Sequence, residues 1–555
     1  MKNYFKSLTP MLFISLKNYN KNTFIKDLIA GLIVGIIALP LSLALAIASG
    51  APPVVGLITA IIGGGMAALL SGSRNQVSGP TAAFIPIVLT VAATCGAGGF
   101  LTAIFFSGVL LLIMGFLRLG KLINYIALPI IAGFTAGIAV SIFSGQLADF
   151  MGYSNVPKEF IEKIAHYAHE IGTVNPISII LGVVCIAIML VMPKINKKIP
   201  GALIAIIVAV AVKLIFKPNI ETIGSRFGEL KLNFSLHTFD FSNFSKLIVP
   251  IISISLLAAI ESLLSAKAAD NMTRTTHNPN AELLSQGAAN MASALFGGLP
   301  VTGAIARTSA SIKNGGVTPV ATLIHALFIF LIGILLMPYA VHIPLVALAS
   351  VLIVVCKNMI NVREAKKIFA GSPRDVILFF TALSLTVVFD LVVAIGSGMG
   401  LALLWVLINF IRAKLNKIPY KPQIAVIENG FTSTIALSGG LNFITDAKFK
   451  IKEIATDNPF IIIDVSKAVD LDLQGFMVVE QLVKRMLYDG KETVKVVGNS
   501  RCMRYIAKAE FEEKEKIDLT DILIEEQSTL TFTSKHKPVV VEEVTVAAAD
   551  ITDNN

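Results

Sequence analysis

The sequence predicts an α-helical polytopic membrane protein of about fourteen transmembrane segments, followed by a small cytosolic α/β domain. Three observations carry this reading. Of 555 residues, 55% are hydrophobic and only 15% charged, against about 25% charged in ordinary soluble chains. Apolar runs long enough to span a bilayer alternate with short connections, and Lys and Arg collect in every second connection. After Lys417 the pattern changes to short alternating strands around one amphipathic helix. The net charge of +10 is therefore a topology signal and not a nucleic-acid footprint. An even number of segments places both termini in the cytoplasm, in a cell (inner) membrane.

Taken in order, residues 1–26 are polar and basic and form the cytosolic N-terminus, with no cleavage pattern of a signal peptide. The first segment, 27–48, contains Pro40, which removes a backbone hydrogen bond and kinks the helix. Pro52-Pro53 turn the chain into a second segment ending near Leu70, and Ser73 and Arg74 lie inside. A half-helix opens at Ser78-Gly79-Pro80 and runs to Cys95. Residues 97–117 and 122–147 span, separated by the inner charges Arg118 and Lys121. Residues 149–175 form an external loop with an amphipathic helix, and its His166 and His169 read as solvated surface histidines. Residues 176–192 and 201–216 span around Lys194, Lys197 and Lys198, and 218–245 is a second external loop. The segment 246–266 carries Glu261, followed by a polar inner connection with Arg274. Residues 282–296, 318–337 and 344–355 continue the alternation. The basic residues Lys357, Arg363, Lys366, Lys367 and Arg374 lie inside, and a last hairpin, 376–393 with 396–410, ends at Arg412 and Lys414. The expected domains are the N-terminus 1–26, a transmembrane transporter domain 27–416, an α/β domain 417–528 and a disordered tail 529–555. The four cysteines are scattered and suggest neither a disulfide framework nor a metal site.

Two stretches share one grammar. Gly297-Gly298-Leu299-Pro300-Val301-Thr302-Gly303-Ala304-Ile305-Ala306-Arg307-Thr308 and Gln76-Val77-Ser78-Gly79-Pro80-Thr81-Ala82-Ala83-Phe84 both pass from helix breakers into small-residue helices inside the apolar region. A helix that starts within a membrane leaves free N–H groups and a positive dipole end at its first turn. Arg307 adds a fixed charge about one turn beyond Gly303, and a charge at membrane depth is usually functional. Such a pair of interrupted segments in corresponding halves points to a transporter site, and its guest is an anion. Glu261 is the one acidic residue in its segment and a candidate proton carrier. Ser265, at i+4, shares its face and is placed to hydrogen-bond it.

Four motifs in one order carry a family resemblance: Ala38-Leu39-Pro40-Leu41-Ser42, Ser78-Gly79-Pro80-Thr81-Ala82, Ala259-Ile260-Glu261-Ser262-Leu263-Leu264 and Pro300-Val301-Thr302-Gly303-Ala304-Ile305-Ala306-Arg307. With the C-terminal α/β domain, the chain resembles the SulP family, also called solute carrier family 26, with its STAS domain. The resemblance implies two inverted seven-helix repeats forming core and gate domains, elevator-type alternating access and a homodimer. It also implies an anion site walled by Pro40, Leu41, Ser42, Leu45, Gly79, Pro80, Thr81, Ala82, Thr302, Gly303, Ala304, Ile305, Ala306 and Arg307. The implied coupling site is Glu261 with Ser265, and glutamate there favours a proton over sodium. Many members carry Gln after the first-helix proline and an aromatic residue four positions later. Leu41 and Leu45 make that wall less polar here. The stretches Thr302 to Thr308 and Ser384 to Asp390 resemble the bacterial branch that carries C4-dicarboxylates. The serine phosphorylated in related domains is absent from the turn Asp472-Leu473-Gln474-Gly475.

The function expected is secondary active transport of sulfate or another inorganic anion, or of a C4-dicarboxylate such as succinate or fumarate, with bicarbonate transport or anion exchange as the alternative. A channel or motor, and a membrane-anchored sensor, rank lower. The sequence shows no nucleotide loop, metal set or nucleophile with its base, so no enzyme and no cofactor is expected. The acidic residues Asp464, Asp470 and Asp472 are expected to face the basic segment from Lys357 to Arg374.

Overall fold

The structure, a computed structural model, describes residues 8–445, 454–498, 517–518 and 529–534, apart from positions 154, 155, 158, 197–199, 390, 455 and 492. Lys197, Lys198, Asp390, Cys502 and residues 535–555 of the expected tail lie outside the described residues. The chain forms two compact units, Met1–Ala365 with Val376–Leu403, and Lys366–Asp375 with Leu404–Asn555.

The first unit is helical, and nine helices among the described residues are long and apolar enough to cross a membrane. Helix α1 (Lys21–Ala48) starts six residues before the expected boundary because Asn20 caps it, its side chain accepting from Thr23 N at 2.9 Å. Asp27 is thereby drawn inside the helix and fully buried. Its carboxylate accepts from Val317 N, Thr318 N, Thr318 Oγ1 and Tyr19 Oη. Gly35 admits the helix Val320–Ala340 closely, since a Cβ there would lie 2.4 Å from Phe328. Helix α2 (Pro53–Leu70) loosens into a π-turn at Thr59–Gly63. Helix α3 (Ile85–Phe116) joins two expected segments across a break at Gly96, where φ is 68°. Glycine alone takes that conformation freely.

Helices α4 (Leu128–Met151), α5 (Pro176–Ile195) and α6 (Gly201–Phe216) follow, then α7 (Phe244–Thr273) and α8 (Pro279–Leu295). Small residues let α3 and α8 touch: a Cβ on Gly108 would meet Gly287 O at 2.6 Å. Helix α9 (Ile305–Lys313) is short, and α10 (Val320–Ala340), α11 (Leu345–Met359), α12 (Pro373–Val388) and α13 (Leu391–Leu415) follow. Arg226 bridges Asp149 at 2.8 Å and also Glu221. Tyr153 stacks on Tyr167 of the helix Phe160–His169.

The second unit is built on a seven-stranded sheet. Strands β3 (Gln423–Asn429) and β4 (Thr432–Leu441) form an antiparallel hairpin. Strand β4 pairs parallel with β5 (Phe460–Asp464), and β5 with β7 (Thr493–Val497); β6 (Ala468–Leu471) adds to β4. Helix α14 (Leu473–Tyr488) buries Phe476, Val479, Leu482, Val483 and Met486, an i, i+3, i+4 stripe. Its cap is Asp472, accepting from Gly475 N at 3.0 Å. The expected tail needs one correction. Thr529–Ser534 forms β9, antiparallel to β7 and also paired with β8 (Ile517–Asp518). Its Thr-Leu-Thr-Phe-Thr-Ser alternation is a strand pattern that a polar overall composition conceals. This compact unit also takes in Lys366–Asp375 and the end of α13. Arg374 pairs with Asp470, Lys367 Nζ with Glu480 at 2.9 Å, and Asn409 Nδ2 donates to Asp470 at 2.7 Å. Asp470 and Asp472 thus face the basic segment as expected. Asp464 instead accepts from Ser466 N within its own loop.

Candidate functional site

The two interrupted stretches meet. Strands β1 (Ser78–Gly79) and β2 (Thr302–Gly303) form a two-residue antiparallel ladder, Ser78 opposite Gly303 and Gly79 opposite Thr302, fully buried. Ala304 N donates to Val77 O at 2.9 Å, and Val77 N to Thr308 Oγ1 at 3.0 Å. The ladder thus satisfies backbone groups that have no water to turn to. Helices leave the ladder from both sides, α3 after the turn Ala82–Phe84 and α9 from Ile305.

Arg307 folds back over this crossing. Its side chain is 3% exposed, and Nη2 donates to Pro80 O, while Nη1 has no hydrogen-bond partner. A Cβ on Gly79 would lie 2.6 Å from Nη1, so glycine makes room for the guanidinium. A Cβ on Gly303 would strike Gln76 Nε2 at 2.0 Å. Ile305 and Ala306 turn outward, with Ile305 48% exposed, whereas Thr302, Gly303, Arg307 and Thr308 turn in and Ala304 is half-buried.

Helix α7 ties to both strands. Ser262 Oγ meets Thr302 Oγ1 at 2.7 Å and accepts from Gly303 N at 3.0 Å. The adjacent Glu261 is half-buried, and its Oε2 accepts from Thr81 Oγ1 at 3.1 Å. Glu261 and Arg307 share the site without a direct ion pair. The expected bond from Ser265 to Glu261 is not formed. Ser265 Oγ pairs with Thr308 Oγ1 at 3.1 Å, because the approach of α9 offers a buried hydroxyl on that side. Pro40, Ser42 and Leu45 are buried, with Leu41 half-buried. Leu41 and Leu45 join Ala82, Ala83 and Phe84 in one apolar cluster. Ser42 Oγ has no hydrogen-bond partner.

Several supporting residues escaped the sequence reading. Glu282, fully buried on α8, accepts from Gly72 N (2.9 Å), Ser71 Oγ (3.2 Å), Gln76 Nε2 (2.9 Å) and Gln286 Nε2 (2.7 Å). It fixes the approach to β1. Asn290 clamps the approach to β2, accepting from Val301 N and donating to Val301 O. Thr59, in the π-turn, accepts from Leu299 N at 2.7 Å. His325 on α10 is fully buried with neither ring nitrogen bonded. Charged and polar side chains inside apolar helices were the available signal, and Glu282, Asn290 and His325 all carry it. No cluster of His, Cys, Asp and Glu suited to a metal ion occurs among the described residues.

Comparison with known proteins places the chain in one family. The profile of the Sulfate permease family matches residues 24–382. YvdB of Bacillus subtilis, provisionally named a sulfate transporter, is 39% identical over 77% of this chain and 82% of its own length. The solved transmembrane domain of a cyanobacterium bicarbonate transporter, BicA, superposes with a TM-score of 0.60 at 28% identity, covering 68% of this chain and 98% of that one. The murine solute carrier 26 member A9 shares the fold, with a TM-score of 0.67 at 18% identity and 92% coverage of each chain. The family profile spans both interrupted stretches and the helix of Glu261, and the chain belongs to the sulfate permease family of anion transporters.

Proposed function

We propose that this chain is a secondary active transporter that moves a small oxyanion, sulfate first, together with a proton. One observation carries the reading: the paired half-helices converge on a buried arginine with an unpartnered N–H, while Glu261 stands beside them on Thr81. Two helix N-termini and a guanidinium attract a divalent anion and carry no net charge change of their own. Glu261 offers a second, titratable charge, and its bond from Thr81 links it to the half-helix that the anion touches. Sulfate is preferred because YvdB bears that name, bicarbonate comes next through BicA, and C4-dicarboxylates rest on the motif resemblance. The chain then works as a homodimer in the cell membrane, with about fourteen segments in two inverted repeats, cytosolic termini and the second unit as a STAS domain. One repeat carries the site across by an elevator movement.

The test is uptake by the purified full chain in liposomes, using labelled sulfate, bicarbonate and succinate with and without a pH gradient. Saturable sulfate uptake accelerated by an inward proton gradient is expected. Glu261→Gln should keep anion binding and lose gradient-driven accumulation. Accumulation at wild-type level in Glu261→Gln removes the proton role, and uptake without saturation removes the transporter reading in favour of a channel.

A further inference from the structure

A cavity of about 310 Å³ lies away from the crossing, lined by Arg118, Lys121, Asn278 and Asn280. Two elements build it. Helix α3 stops at Phe116, and Arg118 follows with φ 61°, a left-handed position where glycine is the usual residue. The turn Leu119–Tyr125 then carries Lys121. Gly120 N donates to Asn280 Oδ1 at 3.1 Å, which holds this turn against the start of α8. There Asn278 Oδ1 caps the helix, accepting from Asn280 N and Ala281 N. The cavity therefore gathers two cations and the positive end of a seventeen-residue helix. The carboxylate on the same helix, Glu282, is fully buried and turned to its four donors. Beside the cations, the end of α3 presents Ile113 and Phe116, exposed by 47 and 50%, and the residue that caps it, Leu117, is exposed by 65%.

We propose that this cavity seats the headgroup of an anionic phospholipid. Its phosphate meets Arg118 and Lys121, and its acyl chains lie along Ile113, Phe116 and Leu117. Charge alone would serve any anion, but an apolar wall continuous with the cations suits an amphiphile. The position also has a consequence for transport. Helix α8 packs on α3 and holds the approach to β1 through Glu282, so a lipid bound here braces the pair of helices behind the site.

The test compares the full chain with the double variant Arg118→Gly, Lys121→Ala by native mass spectrometry. Glycine suits the left-handed position, so the backbone is not strained by the change. Binding of phosphatidylglycerol should weaken by roughly thirtyfold in the variant, with phosphatidylcholine binding unchanged. A single variant, Leu117→Gln, keeps both cations and should weaken phosphatidylglycerol alone, by a few-fold. Equal phosphatidylglycerol binding in the wild type and the double variant overturns the proposal. So does complete displacement of the lipid by inorganic phosphate, which would make this a free-anion site.

Discussion

Glu282→Leu isolates what the buried carboxylate behind the crossing contributes. The side chain accepts four hydrogen bonds in the wild type. Leucine fills a similar volume and accepts none. Ser71 Oγ keeps its bond to Ser73 O, and Gln286 Nε2 keeps Ser78 Oγ. Gly72 N and Gln76 Nε2 keep nothing and are buried. Two orphaned donors cost about 1–3 kcal/mol each, a total of about 2–6 kcal/mol against a typical stability of about 5–15 kcal/mol. Removing a buried charge returns part of that. Glu282→Gln should be far milder. Oε1 of Gln76 and Oε1 of Gln286 are both without partners, so flipping those amides supplies acceptors for the new amide group. The assay heats detergent-solubilised protein at one fixed rate and reads the remaining monodisperse fraction by gel filtration, because unfolding of such chains is irreversible. The leucine variant should lose roughly ten degrees in apparent midpoint and the glutamine variant only a few. A leucine variant as stable as wild type, or equal losses in both variants, refutes the reasoning.

Arg307→Ala removes the buried guanidinium and should raise KM for the transported anion by roughly tenfold to a hundredfold; unchanged KM excludes Arg307 from the site. Gly79→Ala places a methyl group 2.6 Å from Arg307 Nη1 at a φ of 157° that side chains rarely adopt, and should raise KM and also lower the yield of folded protein, read by gel filtration. Since neither nitrogen of His325 is bonded, His325→Leu should hold or raise the apparent midpoint in the same heating assay, and a fall of several degrees would reveal a partner for the imidazole. In the second unit, burial pushes the Asp472 carboxyl from 3.8 up to about 7, opposed by Arg374 and assisted by Asp375; Asp470 lies on the same guanidinium. The folded form thus keeps its proton to higher pH than the unfolded form. Its stabilising contribution is complete below 3.8 and is lost as pH rises through about 7. Hydrogen exchange across Leu473–Tyr488, corrected for intrinsic rate, should therefore speed up as pH rises from about 4 to about 7 and level off above that, and Asp472→Asn should flatten that dependence.

The crossing was legible because its chemistry demands rare residues. Gly79, Pro80 and Gly303 break helices in the middle of apolar runs, and Arg307 and Glu261 are charges where charges are costly. What each charge touches was not legible. Ser265 was expected beside Glu261 because helical spacing is local, whereas the donor is Thr81, 180 positions away. Asp27 and Glu282 stood at the expected ends of segments and passed for boundary charges. Only the packed fold surrounds each with four donors. Helix starts shifted for the same reason, since a cap such as Asn20 extends α1 beyond its apolar part. The fold class lay in composition and charge alternation, which average over many residues, whereas β9 rested on six and was hidden by its polar surroundings.

The ladder between β1 and β2 also imposes an order on biogenesis. Its flanking partners Val77 and Thr308 are 231 positions apart. A ribosome feeding this chain into a membrane delivers the first strand long before the second exists. In hydrocarbon the unpaired peptide groups would cost several kcal/mol each, so the first half waits beside water or within the insertion machinery while the intervening helices are threaded. The site closes late, when Thr302 and Gly303 arrive. A chain stalled before that point displays an open strand edge inside its helices, a mark by which membrane proteases can tell an unfinished transporter from a finished one.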